Sequence, residues 1–337
     1  MSIPLSILDL APIAPGETAR KTFAASVALA QTAEKHGYRR VWYAEHHNMP
    51  TIASSATSIL IGHVAAQTST IRLGAGGIML PNHAPLTIAE QFGTLETLTP
   101  GRIDLGLGRA PGSDQVTMHA MRRDASSAET FPQDVLELQG YLWGESRVPG
   151  VQAVPRASTR VPLYILGSSL FGAQLAAMLG LPYAFASHFS PDALFEAVAT
   201  YRSEFRPAEL TGTGELSEPH VIVGANVIAS EDGEDARRQF DITRRSRVRS
   251  MISRGPAAPE YSDEQIDAFL TTANGRHIAN MMKYSVAGTP DEVRAFLENF
   301  AAQTGADEII VGHQSPRLAD RLRSVELTAD AMLGAAV

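Results

Sequence analysis

Eight apolar runs alternate with helix-period segments along the 337 residues. This alternation predicts an α/β protein built as a single (β/α)8 barrel, with insertions after strands four and seven. The runs are nearly continuous in apolar residues, as suits parallel strands covered on both faces. No Pro/Gly-rich linker or low-complexity tract divides the chain, so one domain over residues 3–332 is expected. An open doubly wound sheet is the competing arrangement.

The elements follow in order. "LSILDL" is the first strand, and its helix carries Phe23, Val27 and Ala30 at i, i+4 and i+7, with Gly37 as C-cap. "RVWYAE" is the second strand, with a helix over 53–67. "IRLGAGG" is the third, and Ile88, Phe92 and Leu95 line one face of its helix. "RIDLGLG" is the fourth, followed by a polar excursion over 110–130 and a helix near 131–143. "VPLYILG" is the fifth; Phe171, Leu175 and Met178 form the inner face of its helix, which stops at Gly180 and Pro182. "YAFAS" is the sixth, and Ser190 caps the next helix with Pro191 in its first position and Leu194, Val198 and Tyr201 facing inward. "HVIVGANVIA" is the seventh, followed by a long excursion over about 230–285. Thr289-Pro290-Asp291-Glu292 has the form of a capping box. "DEIIVG" is the eighth strand, and a last helix spans about 315–332.

Composition narrows the function. Hydrophobic residues make up 44%, enough for a large core, and the net charge of −8 leaves no general nucleic-acid footprint. There is no cysteine, which excludes disulfides and thiolate metal sites and fits a reducing cytoplasm. The first residues lack a basic n-region and are broken by Pro4, Asp9 and Pro12, so no signal peptide is expected. No run of about 18 apolar residues predicts a membrane span.

Barrel chemistry gathers at the C-terminal strand ends. Glu45, His46 and His47 end the second strand. Gly76, Gly77, Asn82 and His83 lie in or after the third, Arg109 after the fourth, Ser168 and Ser169 after the fifth, and His188 after the sixth. Strands four and five are neighbours, so Arg109 lies near Gly167-Ser168-Ser169, which opens a helix. Free backbone N–H groups, two hydroxyls and a forked guanidinium make a phosphate corner. The alternatives are a plain helix N-cap and a rim salt bridge from Arg109 to Asp114 or Asp104. "VGHQS" at 311–315 is a weaker phosphate candidate. Gly74-Ala75-Gly76-Gly77 marks either a bulge or the close approach of a flat ligand.

The His46-His47 pair is a poor metal clamp, because adjacent strand residues point to opposite sides. A zinc or iron centre needs further ligands, and His83, His188 and His313 have no motif spacing. No metal is expected. An imidazole near neutrality suits a general base or hydrogen-bond donor, against the alternative of a structural loop histidine. The run "RRQFDITRRSRVRS" holds six arginines and reads as a solvated helical face, or as a lid over an anionic ligand.

"YAEHHNM", "IRLGAGGIMLPNHAPLTIAEQFGTLETLTPGRIDLGLGRAPG" and "PLYILGSS" resemble the luciferase-like flavin-dependent monooxygenases, relatives of the bacterial luciferase alpha chain. "VAGTPDEVRAFLENFAAQTGADEIIV" is similar to that family's last helix-strand unit. The resemblance implies a (β/α)8 barrel binding reduced FMN supplied by a separate flavin reductase, or in some relatives F420. It implies a peroxyflavin formed from O2 at C4a, and oxygenation of a small-molecule substrate.

By position, the resemblance makes His46 the catalytic base, with Glu45 beside it. Arg109, Ser168 and Ser169 become phosphate contacts, with Gly167 in the same turn. Gly76-Gly77 becomes a non-proline cis peptide beneath the flavin ring, and 230–285 a mobile active-site loop. The departures are Gly108 at the reactive-cysteine position and His83-Ala84-Pro85 in place of Ala-His-Pro. No aldehyde pocket is recognisable, so light emission and a long-chain aldehyde are not carried over. A homodimer is expected. A flavin-binding protein without activity and a metal hydrolase barrel remain the rivals.

Overall fold

The computed structural model describes residues 3–14, 16–110, 113–144, 146–155, 160–214, 216–252, 259 and 261–334. The strands are β1 (Leu5–Asp9), β2 (Arg40–Tyr43), β3 (Arg72–Met79), β4 (Ile103–Gly108), β5 (Leu163–Gly167), β6 (Tyr183–Phe185), β7 (Val221–Ala229), β8 (Ser285–Gly288) and β9 (Glu308–His313). The helices are α1 (Ala19–Lys35), α2 (Thr57–Ala65), α3 (Pro85–Leu98), α4 (Gln115–Ala120), α5 (Phe131–Trp143), α6 (Leu170–Leu179) and α7 (Leu194–Glu204). They continue with α8 (Ala208–Thr211), α9 (Gly233–Ile252), α10 (Asp263–Leu270), α11 (Ala273–Asn280), α12 (Pro290–Thr304) and α13 (Leu318–Leu333).

All strand pairings are parallel. β1 to β7 pair in sequence, β7 pairs β9, and β9 pairs β1, which closes the expected eight-stranded barrel. Period-two alternation sets the two faces. Ile7, Val41, Tyr43, Val223 and Ile309 face the helices in the main core. Leu8, Trp42, Ala44, Tyr164, Ala184, Ile222 and Ile310 form a second, inner cluster that fills the barrel.

β8 is a ninth strand that the sequence reading passed over. β6 spans three residues and pairs β7 only at Val221–Val223. β8 takes up the same edge of β7 further along, at Asn226–Ala229. The long excursion therefore ends in a strand, and its described part is helical: α9, α10 and α11.

Three further local expectations are corrected. α7 starts at Leu194 with Ala193 as its cap, because the backbone first turns, with Leu194 N–H donating to Pro191 O at 3.2 Å. Leu175 is buried as expected, but Met178 is 50% exposed, and Ala176 and Leu179 are buried in its place. The 110–130 excursion contains the short α4 and a 3₁₀ turn at Ala125–Ala128. The capping box at Thr289 forms as read: Glu292 Oε2 accepts from Thr289 N–H at 2.7 Å, and Thr289 Oγ1 from Glu292 N–H.

Candidate active site

At the exit of β2 the parity of the strand continues past its last paired residue. Trp42 and Ala44 point into the barrel, and Val41 and Tyr43 point out. Beyond Tyr43, where β2 ends, Glu45 and His47 lie on a common side, since their side chains meet. Glu45 is buried, and its Oε1 accepts from His47 Nε2 at 2.8 Å and His83 Nε2 at 2.9 Å, while Oε2 accepts from Met79 N–H at 3.1 Å. Burial alone would raise the Glu45 pKa. The two histidines and the Met79 amide outweigh it and hold the carboxyl at about 2. The same bond raises the His47 pKa.

Glu45 thus locks the loop after β2 to the loop after β3. The bonds described orient His47 and His83, so Glu45 serves neighbours of His46. His83 counted in the sequence as one of several scattered histidines, yet the fold brings it to this cluster across 38 residues. The ligand atoms of Glu45, His47 and His83 lie within 4.8 Å of one another, close enough for one cation. They are satisfied by hydrogen bonds among themselves.

His46 lies near enough to His188, at the exit of β6, to lower its pKa slightly. Burial is the main cause that holds the His188 pKa near 4, with the charge of Arg247 and then His46 adding to it. His188 is therefore neutral, and its Nδ1 is buried without a hydrogen-bond partner among the described residues. Glycine at 224 makes room for this ring: a Cβ there would sit 2.3 Å from His188 Nδ1. Beside it, Ser187 Oγ donates to Gly224 O at 2.6 Å, carrying the β6–β7 link past the short strand.

Gly76-Gly77 is a cis peptide, as the resemblance implies, and the β3–β4 register shifts between Ala75 and Ile78. The glycines answer first to close neighbours. A Cβ on Gly76 would meet Trp42 Cβ at 2.8 Å, and one on Gly77 would meet Gly106 O at 2.8 Å. The bulge reading is therefore realised, and Gly76 keeps partial exposure toward the barrel mouth.

The residues expected to form a phosphate corner lie at the exits of β4 and β5. Arg109 is exposed, and its guanidinium lies over the Phe171 ring at 4.0 Å, in the first turn of α6. It has no ion pair among the described residues, and Asp104, one partner considered for it, is occupied by Arg40 and Arg72. Ser169 is the N-cap of α6, yet its side chain makes no capping bond. The plain N-cap alternative is thus not what the serine does. An unpaired guanidinium and open N–H groups sit together, and these fit a phosphate. The rival VGHQS stretch is partly spent on structure: His313 is buried, with Nδ1 2.9 Å from Ser324 Oγ and Nε2 3.3 Å from Tyr38 Oη.

The luciferase-like monooxygenase family profile matches residues 3–308. The chain belongs to the luciferase-like monooxygenase family. It is 47% identical over 330 residues to a luciferase-like monooxygenase of Escherichia coli (strain K12), covering 98% of this chain and 97% of that one. It is 32% identical over 341 residues to the N-acetyl-S-alkylcysteine monooxygenase of Bacillus subtilis (strain 168), covering 99% of both. Among solved structures, apo-MsnO8 superposes with a TM-score of 0.86 at 33% identity, covering 99% of this chain and 100% of that one. The protein is an oxidoreductase of the monooxygenase class, in a family that uses reduced flavin. Among the described residues, no helix is long and apolar enough to cross a membrane.

Proposed function

We propose that the protein is a flavin-dependent monooxygenase that takes reduced FMN from a separate reductase and oxygenates a small organic substrate. The stoichiometry is reduced FMN, O2 and substrate to oxidised FMN, water and oxygenated substrate. The observation that carries this reading is the corner where unpaired Arg109 lies on Phe171 beside the uncapped Ser169 turn. Arg109, Ser168 and Ser169 would hold the phosphate, with Gly167 placing the turn. Gly76-Gly77 would lie under the ring. Bound reduced flavin supplies the electrons that activate O2.

The remaining work falls to this chain. His46, at the β2 exit, holds or moves a proton at the reacting atom. Glu45 keeps His47 and His83 in place and ties together the two loops that border His46. The barrel wall keeps bulk water from the reacting centre. Full-length relatives named as monooxygenases support oxygenation over F420-dependent hydride transfer.

The test supplies a reductase, NADH, FMN and 18O2 to a substrate panel that includes N-acetyl-S-methylcysteine. Label from O2 in the product is expected. Arg109→Gln should weaken FMN binding roughly 10- to 100-fold, the range for a lost charge-assisted contact. His46→Ala should slow turnover with FMN affinity nearly intact. Tighter binding of F420 than of FMN, or peroxide as the sole oxygen product across the panel, would sink the proposal.

A further inference from the structure

Helix α9 carries six arginines, and five of them have carboxylate partners. Arg237 reaches Glu292, Arg238 reaches Asp232 and Asp235, Arg244 reaches Asp241, Arg245 reaches Asp263 and Asp267, and Arg249 reaches Asp263. These are the solvated, ion-paired face that the sequence pattern suggests. Arg247 is different. It is half-buried, and its guanidinium has no ion pair or hydrogen bond among the described residues.

Its position is set by the residue one turn earlier. Thr243 Oγ1 donates to Gln314 O at 2.8 Å, just past the end of β9. Arg247, at i+4, lies on the same face of α9 and so extends along the barrel mouth. Its charge reaches His188 at the exit of β6. Helix α9 packs against β7 and β8, so this face of the helix lies along β7, the strand between those two exits.

Two other polar atoms there are unsatisfied. His188 Nδ1 and Asn226 Oδ1 are buried without hydrogen-bond partners among the described residues. Asn226 is fixed by its other atom, Nδ2, which donates to His188 O at 2.9 Å and to Ser285 Oγ at 3.1 Å. A half-buried cation without an anion is disfavoured, and each buried polar atom left without a partner is costly. His188 and Asn226 are joined at β7, against which α9 packs, and the unsatisfied groups at this end point to a ligand that brings the missing charge.

We propose that Arg247 binds a carboxylate carried by the substrate, so that this enzyme acts on small organic acids. A guanidinium fork matches a planar carboxylate in two parallel hydrogen bonds. The phosphate corner at Arg109 lies across the mouth, after β4 and β5, so the two anion sites take different groups. Asn226 Oδ1 and His188 Nδ1 would accept hydrogen bonds from donors on the same substrate. The inference rests on the flavin-monooxygenase reading for the reaction, but not for the binding.

The test is calorimetric titration without turnover, with oxidised FMN present and absent. The probes are benzoate and N-acetyl-S-methylcysteine, each compared with its neutral amide. Wild type should prefer the acids by roughly 10- to 100-fold. Arg247→Gln should abolish that preference and leave FMN affinity unchanged, and Arg247→Lys should restore part of it. Circular dichroism and a thermal melt confirm folding of each variant. Equal binding of acid and amide to wild type, or no binding of either acid, overturns the proposal. So does Arg247→Gln losing FMN in place of acid, which would assign the guanidinium to the flavin. An acid preference that depends on Arg247 in a protein that fails to bind FMN would keep this site and discard the flavin reading.

Discussion

The two ends of this barrel treat buried charge in opposite ways. At the N-terminal end, Arg40, Asp104 and Glu308 are almost wholly buried, at 1%, 0% and 0% exposure. Arg40 Nη1 donates to Asp104 Oδ2 at 2.7 Å and to Tyr164 Oη at 2.6 Å, and Nη2 donates to Glu308 Oε2 at 3.1 Å. Arg72 and Trp42 also donate to Asp104, and Ser6 donates to Glu308. Each of the three charges has an opposite charge within hydrogen-bond reach. At the C-terminal end, Glu45 is similarly satisfied, but Arg247, His188 Nδ1 and Asn226 Oδ1 are not. Arg40 Nε makes no hydrogen bond but lies 3.0 Å from Glu308 Oε1, so the lower charges are balanced within the protein. The upper groups have no such partner among the described residues.

The largest effect should come from opening the closed end. Arg40→Leu takes from Glu308 its nearest cation, leaving Ser6 and, at 3.6 Å, Arg39 and His220, and removes a donor from Asp104; loss of one buried partner costs about 3–5 kcal/mol. Urea unfolding should record that loss. Arg247→Gln deletes a charge with no partner among the described residues, so its stability should stay within about 1 kcal/mol of wild type. If Arg247→Gln destabilises as much as Arg40→Leu, the two ends are alike and the contrast fails.

The Glu45 cluster lies between these extremes, since it is closed yet sits on the rim. Glu45 has a lowered pKa, so its contribution is complete above its ordinary value of 4.5 and is lost as pH falls toward about 2. His47 has a raised pKa, so its share is complete below 6.5 and is lost as pH climbs through the raised value. The pair is therefore strongest between about pH 4.5 and 6.5. Glu45→Gln should cost about 2–3 kcal/mol in that window, in line with a charged hydrogen bond. The stability difference from wild type should shrink on both sides. A difference that is flat from pH 3 to 9 would mean the cluster is held by packing rather than charge.

The contrast between the ends was only half legible in the sequence. Strand periodicity announces the barrel, because every inward or outward choice repeats every second residue. The same parity puts adjacent histidines on opposite sides, but it leaves open which of His46 and His47 faces the barrel, because β2 ends at Tyr43. Glu45's second partner, His83, is invisible to spacing because the β2 and β3 exits meet only in the fold. β8 escaped notice because Ser285–Gly288 is four residues long and lies directly before a helix cap. Ser190-Pro191 misled for a physical reason: proline suits a first helical turn and an isolated turn equally well. The six arginines of α9 look alike in the sequence. Arg247 stands apart only once the carboxylates of α10, α12 and α9 itself are assigned to the other five.

The smallest effect tests whether that distinction is real. Arg238 sits on the same helix, 61% exposed, 3.2 Å from Asp235 and 3.6 Å from Asp232. Exposed pairs of this kind contribute about 0–1 kcal/mol, because water screens the attraction and two long side chains lose freedom. Arg238→Gln should therefore shift stability by less than about 1 kcal/mol. It should leave the affinity for benzoate unchanged in calorimetry at 20 mM and at 300 mM salt. A loss of acid binding in Arg238→Gln that fades at the higher salt would show α9 acting through its summed field, which salt screens over roughly 10 Å. Loss confined to Arg247→Gln and insensitive to salt is what a direct contact requires, since a half-buried pair is screened far less than a surface one.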